Sequence, residues 1–138
     1  MVATFIHITN INDINCSTIK ELADKATSNI SKEFIIKNND IEIGFLSLEF
    51  WARQNIAHIY EIYITPSHIN MGHGKSILKF AENLALEQGY PSIQLEAHPF
   101  DKTKEIDFLI RWYARQGYTK INKNSFILQK CLSNHTKK

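Results

Sequence analysis

Between Asn55 and Thr65 the chain runs Asn-Ile-Ala-His-Ile-Tyr-Glu-Ile-Tyr-Ile-Thr, an almost unbroken series of β-branched, aromatic and small residues that Pro66 stops. Such a run has little polar face to give to water, so it is expected as a central strand buried on both faces. A polar connection, Ser67 to Gly74, follows it. Beyond this Ile77, Ala81, Leu84 and Ala85 recur at i, i+4, i+7 and i+8, and Gly89 stands where a helix C-terminal glycine belongs. A buried strand joined through glycines to an amphipathic helix points to a layered α/β architecture.

The remaining segments extend that reading. Residues 2–9 are β-branched and aromatic and are expected as a strand. Thr18 with Glu21 fits a capping box that opens a helix, with Ile19, Leu22, Ala23, Ala26 and Ile30 on one face. Glu33 to Lys37 and Ile41 to Trp51 flank the turn Asn38-Asn39-Asp40 and form a hairpin, and Arg53-Gln54-Asn55 is the next turn. Ile93-Gln94-Leu95 is a strand core. Ile106, Leu109, Ile110 and Tyr113 define a third helix ending at Gly117, and residues 118–121 and 125–131 are strand-like. The order is β-α-β-β-β-α-β-α-β, with the last strand open to a split in two, giving a mixed central sheet flanked by helices.

The 138 residues suit one domain, assigned to 1–132, with a polar, basic tail at 133–138 that is expected to fray. A 43% apolar and 11% aromatic content can close a core, while 16 basic against 14 acidic residues is too even a balance for a nucleic-acid partner. No stretch of about 18 apolar residues offers a membrane span and no signal peptide is read. Cys16 and Cys131 lie too far apart for a metal knuckle, and free, buried, inert thiols in a reducing cytoplasm are expected.

The chemistry centres on Gly72-His73-Gly74-Lys75-Ser76, between the buried strand and the helix. Glycines let a backbone approach closely, and the unpaired N–H groups and dipole of a first helical turn attract an anion such as a diphosphate. On spacing alone the glycines serve a tight turn as readily as a ligand. The Walker A pattern fails because its first glycine is Ile69, and the dinucleotide fingerprint lacks its third glycine.

The wider stretch Glu61-Ile62-Tyr63-Ile64-Thr65-Pro66-Ser67-His68-Ile69-Asn70-Met71-Gly72-His73-Gly74-Lys75-Ser76-Ile77-Leu78 resembles the acetyl-CoA motif of the GCN5-related N-acetyltransferases, GNAT for short. Further on, Trp112-Tyr113-Ala114-Arg115-Gln116-Gly117-Tyr118 is similar to that family's second signature, an aromatic pair on a helix followed by Gly-Phe or Gly-Tyr. The resemblance implies acetyl-CoA as cofactor, bound where the central strand splays from its neighbour by Ile62, Tyr63 and Ile64 and by the loop Ile69, Asn70, Met71, Gly72, His73, Gly74, Lys75 and Ser76. It implies transfer of acetyl to a primary amine, and members often pair through sheet edges, so a homodimer is expected.

Departures are visible. The usual Arg or Gln at the head of the loop is Ile69, and an Asn often found before the helical Tyr is Ile106. One helix precedes the hairpin where such proteins commonly have two, which implies an open acceptor pocket. A non-catalytic acyl-CoA-binding or protein-interaction module on the same fold is the alternative.

An alkylamine with a pKa of roughly 10.4 must lose a proton before it can attack a thioester. By resemblance the base lies on the strand before Pro66, where His58 holds the matching position and Glu61 is the acidic neighbour. In a regular strand these two face opposite sides unless a bulge intervenes, and Glu49 is a further candidate. Tyr113 resembles the family's general acid, and packing on the core face is a compatible role. A strand bulge near Ile62 to Ile64 is expected to supply a backbone N–H to the thioester carbonyl. His68, His73 and His98 have no zinc spacing, so no metal is expected. Polyamine, aminoglycoside, amino acid, peptide terminus and protein lysine all stay open as acceptors.

Overall fold

In the computed structural model, residues 3–69, 71–97 and 106–132 are described. The elements are β1 (Thr4–His7), α1 (Ser17–Ala26), β2 (Ser31–Asn38), β3 (Ile41–Trp51), β4 (Ile56–Ile64), α2 (His73–Glu87), β5 (Ser92–Glu96), α3 (Ile106–Arg115), β6 (Thr119–Lys120) and β7 (Ile127–Cys131). Single 3₁₀ turns stand at Ile11–Asp13 and Pro66–His68. The seven strands form one sheet in the order β1-β2-β3-β4-β5-β7-β6, so the anticipated element order holds and the last strand is split.

The first four strands pair antiparallel with their chain neighbours. Asn39 and Asp40 take positive φ angles of 53° and 66°, the conformation a two-residue hairpin loop needs and that Asn and Asp tolerate. β4 then pairs parallel with β5, since α2 carries the chain back over the sheet.

Two apolar layers sandwich the sheet. On one face Ile77, Leu78, Ala81 and Ala85 of α2 and Leu109 and Tyr113 of α3 pack on Leu46, Leu48, Ala57, Ile59 and Ile62. On the other, Ile19, Ala23 and Ala26 of α1 cover only Ile35 and Phe45, joined by Tyr63. Full burial of a large aliphatic side chain stabilises by roughly 1.5–3 kcal/mol, so the α2 layer outweighs the α1 layer. A polar clamp closes the α2 side: buried Tyr118 donates its hydroxyl to Glu82 Oε2 at 2.8 Å, and Lys130 Nζ donates to Glu82 Oε1 at 3.1 Å and to the Gln116 carbonyl at 2.9 Å.

Several local expectations are corrected. The first strand is limited to Thr4–His7. α1 begins at Ser17 with Cys16 as its N-cap and no side-chain cap, so Thr18 lies within the first turn and does not cap it. The amides of Asn15 and Cys16 donate to the Glu42 carboxylate from β3, at 2.9 and 2.6 Å. The helix stops at Ala26, so Ile30 lies beyond it and is exposed. β4 is central but not buried throughout, with Tyr60 47% exposed. The thiols are free but not buried: Cys131 is exposed and Cys16 half-buried. The tail at 133–138 lies outside the described residues.

Candidate active site

The parallel ladder between β4 and β5 runs only from Ile56↔Ser92 to Ile59↔Leu95. β4 continues to Ile64, while β5 follows β7 instead: Glu96 pairs with Ile127, and the Ala97 amide donates to the Phe126 carbonyl at 2.9 Å. The two strands therefore part after Ile59 and open a cleft bordered by the upper half of β4, as expected.

At the same point β4 carries a bulge. Leu48 pairs with Ile59 and Ser47 with Glu61, leaving Tyr60 as the extra residue. The bulge thus sits before Ile62, earlier than the expected Ile62 to Ile64. It also changes the parity of the strand. Ala57 and Ile59 face the α2 layer, and so do Ile62 and Ile64 after the bulge, while Tyr63 turns to the α1 layer. His58 and Glu61, opposed in a regular strand, consequently share the α1 face.

That face is only half covered. Next to the apolar patch under α1 come Glu33, Ser47 and Glu61, partners across three strands, with Ser47 Oγ donating to Glu33 Oε2 at 2.8 Å. One row further, Glu49 pairs with His58 and His58 with Gln94, and Glu96 lies two residues beyond Gln94 on the same side of β5. Burial lowers the His58 pKa, partly opposed by the carboxylates of Glu49 and Glu96. Trp51, which stacks on His58, and Gln94 are site residues the sequence reading missed; a lone Gln inside the strand core Ile93-Gln94-Leu95 was the available signal.

Tyr113 is buried, 5% exposed, on the other layer. Burial first, and then the Glu61 carboxylate, push its phenol up to about 12. The two candidates lie on opposite faces of the sheet, Tyr113 in the α2 layer and Glu61 on the α1 side, and the Glu61 charge adds to the rise of the phenol.

At the end of β4 the loop turns into α2. Gly72, its N-cap, has φ +84° and an added Cβ there would meet nothing within 4 Å, so the conformation is what requires glycine. At Gly74 a Cβ would come within 3.2 Å of the Trp112 ring, so the absence of a side chain lets α3 close over the first turn. No side chain among the described residues caps α2, so the first-turn amides at His73, Gly74 and Lys75 are without a capping acceptor. The α2 dipole and these amides fit a diphosphate at the mouth of the cleft. Ile69 and His73 are half-buried, Met71, Lys75 and Ser76 are exposed, and Asn70, like His98, lies outside the described residues. A cavity of about 730 Å³ starts at Lys75 and Ser76 and continues past Lys79, Phe80 and Lys130, away from Tyr113 and Glu61. Among the described residues no group of three or more His, Cys, Asp or Glu could hold a metal ion, and no helix is long and apolar enough to cross a membrane.

These features meet a family pattern. Residues 10–118 match the model of the Acetyltransferase (GNAT) family, and the chain belongs to that family. Among solved structures it is similar to the paia N-acetyltransferase of Thermoplasma acidophilum in complex with coenzyme A: 18% identity, 95% of this chain and 99% of that one covered, TM-score 0.67. It is also similar to the ribosomal-protein-S18-alanine N-acetyltransferase of Escherichia coli: 12% identity, 99% and 97% covered, TM-score 0.70. Against nourseothricin acetyltransferase, 75% of the chain aligns at 18% identity and TM-score 0.61 and spans 66% of that chain's length. At such identities the likeness establishes the fold. No curated protein matches the sequence significantly.

Proposed function

We propose that this chain is an acetyl-CoA-dependent N-acetyltransferase acting on a primary amine. One observation carries the reading: the β4/β5 splay has a helix N-terminus without a side-chain cap at one end and opens along the half of β4 that carries Glu61. Acetyl-CoA, when bound, supplies the acetyl group as a thioester. The Gly72 to Ser76 loop holds the diphosphate through backbone amides, a mode that tolerates Ile69 and needs no side-chain donor there. Ile62, Tyr63 and Ile64 line the cleft, and the bulge at Tyr60 bends the backbone so that N–H groups of this stretch are free to polarise the thioester carbonyl.

The acceptor approaches from the α1 face. Its half-open rows carry Glu49, Glu61 and Glu96, a carboxylate-rich surface that favours a cationic amine. One group there, His58 or Glu61, takes the ammonium proton. The free nitrogen then forms its bond to the acetyl carbon as the carbon–sulfur bond breaks. Tyr113 donates its proton to the departing sulfur and regains one from the nitrogen, which sheds its second proton on becoming an amide. With a pKa of about 12 its phenol stays protonated across the working range and can do so at any ordinary pH.

Two free thiols suit a reducing cytoplasm, and pairing through the exposed β1 edge is the homodimer we propose, which light scattering would check. The function itself is tested by calorimetry with acetyl-CoA followed by thiol release over a panel of polyamines, aminoglycosides, amino acids and peptides. Saturable binding with amine-dependent release supports the enzyme. Binding without release for any amine points to a non-catalytic acyl-CoA-binding module, and absence of binding overturns both.

A further inference from the structure

In the row beside Glu61, His58 is held on two sides. The side-chain Nε2 of buried Gln94 lies 3.1 Å from His58 Nδ1, and the Trp51 indole stacks on the imidazole at 4.5 Å and 18°. Trp51 is itself fixed by donating Nε1–H to Glu49 Oε1 at 2.9 Å. An amide nitrogen can only donate, so Nδ1 must accept, and a neutral imidazole then carries its proton on Nε2. In that tautomer the one ring lone pair is already engaged, which leaves nothing with which to take a proton from an amine. Glu49 from β3 and Glu96 from β5 are the charged groups around the ring, and both suit an Nε2–H donor.

We propose that Gln94 is a positioning residue that fixes His58 as the Nε2–H tautomer, so that His58 serves the acceptor as a hydrogen-bond donor and the amine's proton passes to Glu61. The inference rests on the reading that acetyl transfer takes place at this cleft. The step balances: the ammonium N–H bond breaks, the Glu61 carboxylate becomes a carboxyl, and the nitrogen lone pair is freed for attack.

Long-range proton–nitrogen correlation spectra of the full chain, with His58 assigned through His58→Gln, read the tautomer directly. The expected wild-type pattern is Nε2–H. In Gln94→Glu, whose carboxylate accepts instead of donating, it converts to Nδ1–H, and in Gln94→Leu it becomes mixed. Glu61→Gln is expected to lower kcat/KM about 100-fold and to remove the acidic limb of the pH–rate profile. A wild-type Nδ1–H pattern, a tautomer insensitive to both Gln94 variants, or a Glu61→Gln loss smaller than about tenfold overturns the assignment. Since the spectra need no turnover, the two readings fail separately. An Nε2–H pattern in a chain that acetylates nothing defeats the transferase alone, and an active enzyme with Nδ1–H defeats the Gln94 role alone.

Discussion

At the scale of single residues the site is governed by burial. Tyr113 has its phenol raised from 10.0 to about 12, mainly by desolvation. A folded pKa above the unfolded one means that this stabilisation is complete below pH 10 and is lost as pH rises towards 12; two units correspond to about 3 kcal/mol. Tyr113→Phe should therefore flatten the alkaline arm of a stability–pH curve measured by urea unfolding. It should also lower kcat by about 100-fold with the fold intact, as loss of a proton donor does. His58 runs the other way: its lowered pKa gives stability that is present above pH 6.5 and is lost as pH falls through the folded value. Gly72→Ala places a Cβ at φ +84° and should cost roughly 1–2 kcal/mol while raising the KM for acetyl-CoA, readable by thermal unfolding and kinetics. The glycine loop and Tyr113 were legible in the sequence because their spacing is local. Gln94 was not, because it is brought to His58 by a strand 36 residues away, and Trp51 was not, because its ring reaches His58 only through the pairing of β3 with β4.

At the scale of elements, the bulge in β4 decides what the site can be. Alternation along a strand is readable, and it put His58 and Glu61 on opposite faces; the extra residue at Tyr60 is a property of pairing with β3, which no local pattern announces. Deleting Tyr60 restores regular pairing without turning any core residue outward, since Ile59 and Ile62 keep their side. The deletion should leave the melting temperature within a few degrees of wild type and yet abolish most turnover, because the backbone no longer bends at the cleft; calorimetry beside a thiol-release assay tests both halves. The same lesson holds at α1. A Thr18–Glu21 box is a sound local reading, but a carboxylate 26 residues away from Cys16 occupies the N-terminus first. Helices whose spacing was periodic, α2 and α3, were found where expected because their burial needs only their own sequence and a sheet to lie on.

At the scale of the whole molecule, the Tyr118–Glu82–Lys130 clamp ties α2, the end of α3 and β7 together. Tyr118→Phe removes a hydrogen bond to a charged, buried acceptor and should cost roughly 1.5–3 kcal/mol in denaturant unfolding. Little or no change would show that Lys130 alone satisfies Glu82. The overall architecture was legible because alternating strand and helix patterns leave few layered solutions, whereas the extent of the α1 cover was not, since it depends on where a single helix stops. The strand order also carries a consequence in time. β1 to β4 form a meander in which each strand meets the one before it, so this half can pair as it is made. β5 must wait for a long crossover, and its second neighbour is β7, nearly the last segment described. Non-local pairings of this kind close slowly because loop entropy is lost before contacts repay it. The cleft between β4 and β5 thus matures late, and during synthesis the β3 and β4 part of the acceptor face, with Glu49, His58 and Glu61, is in place before Gln94 and Glu96 of β5 complete it.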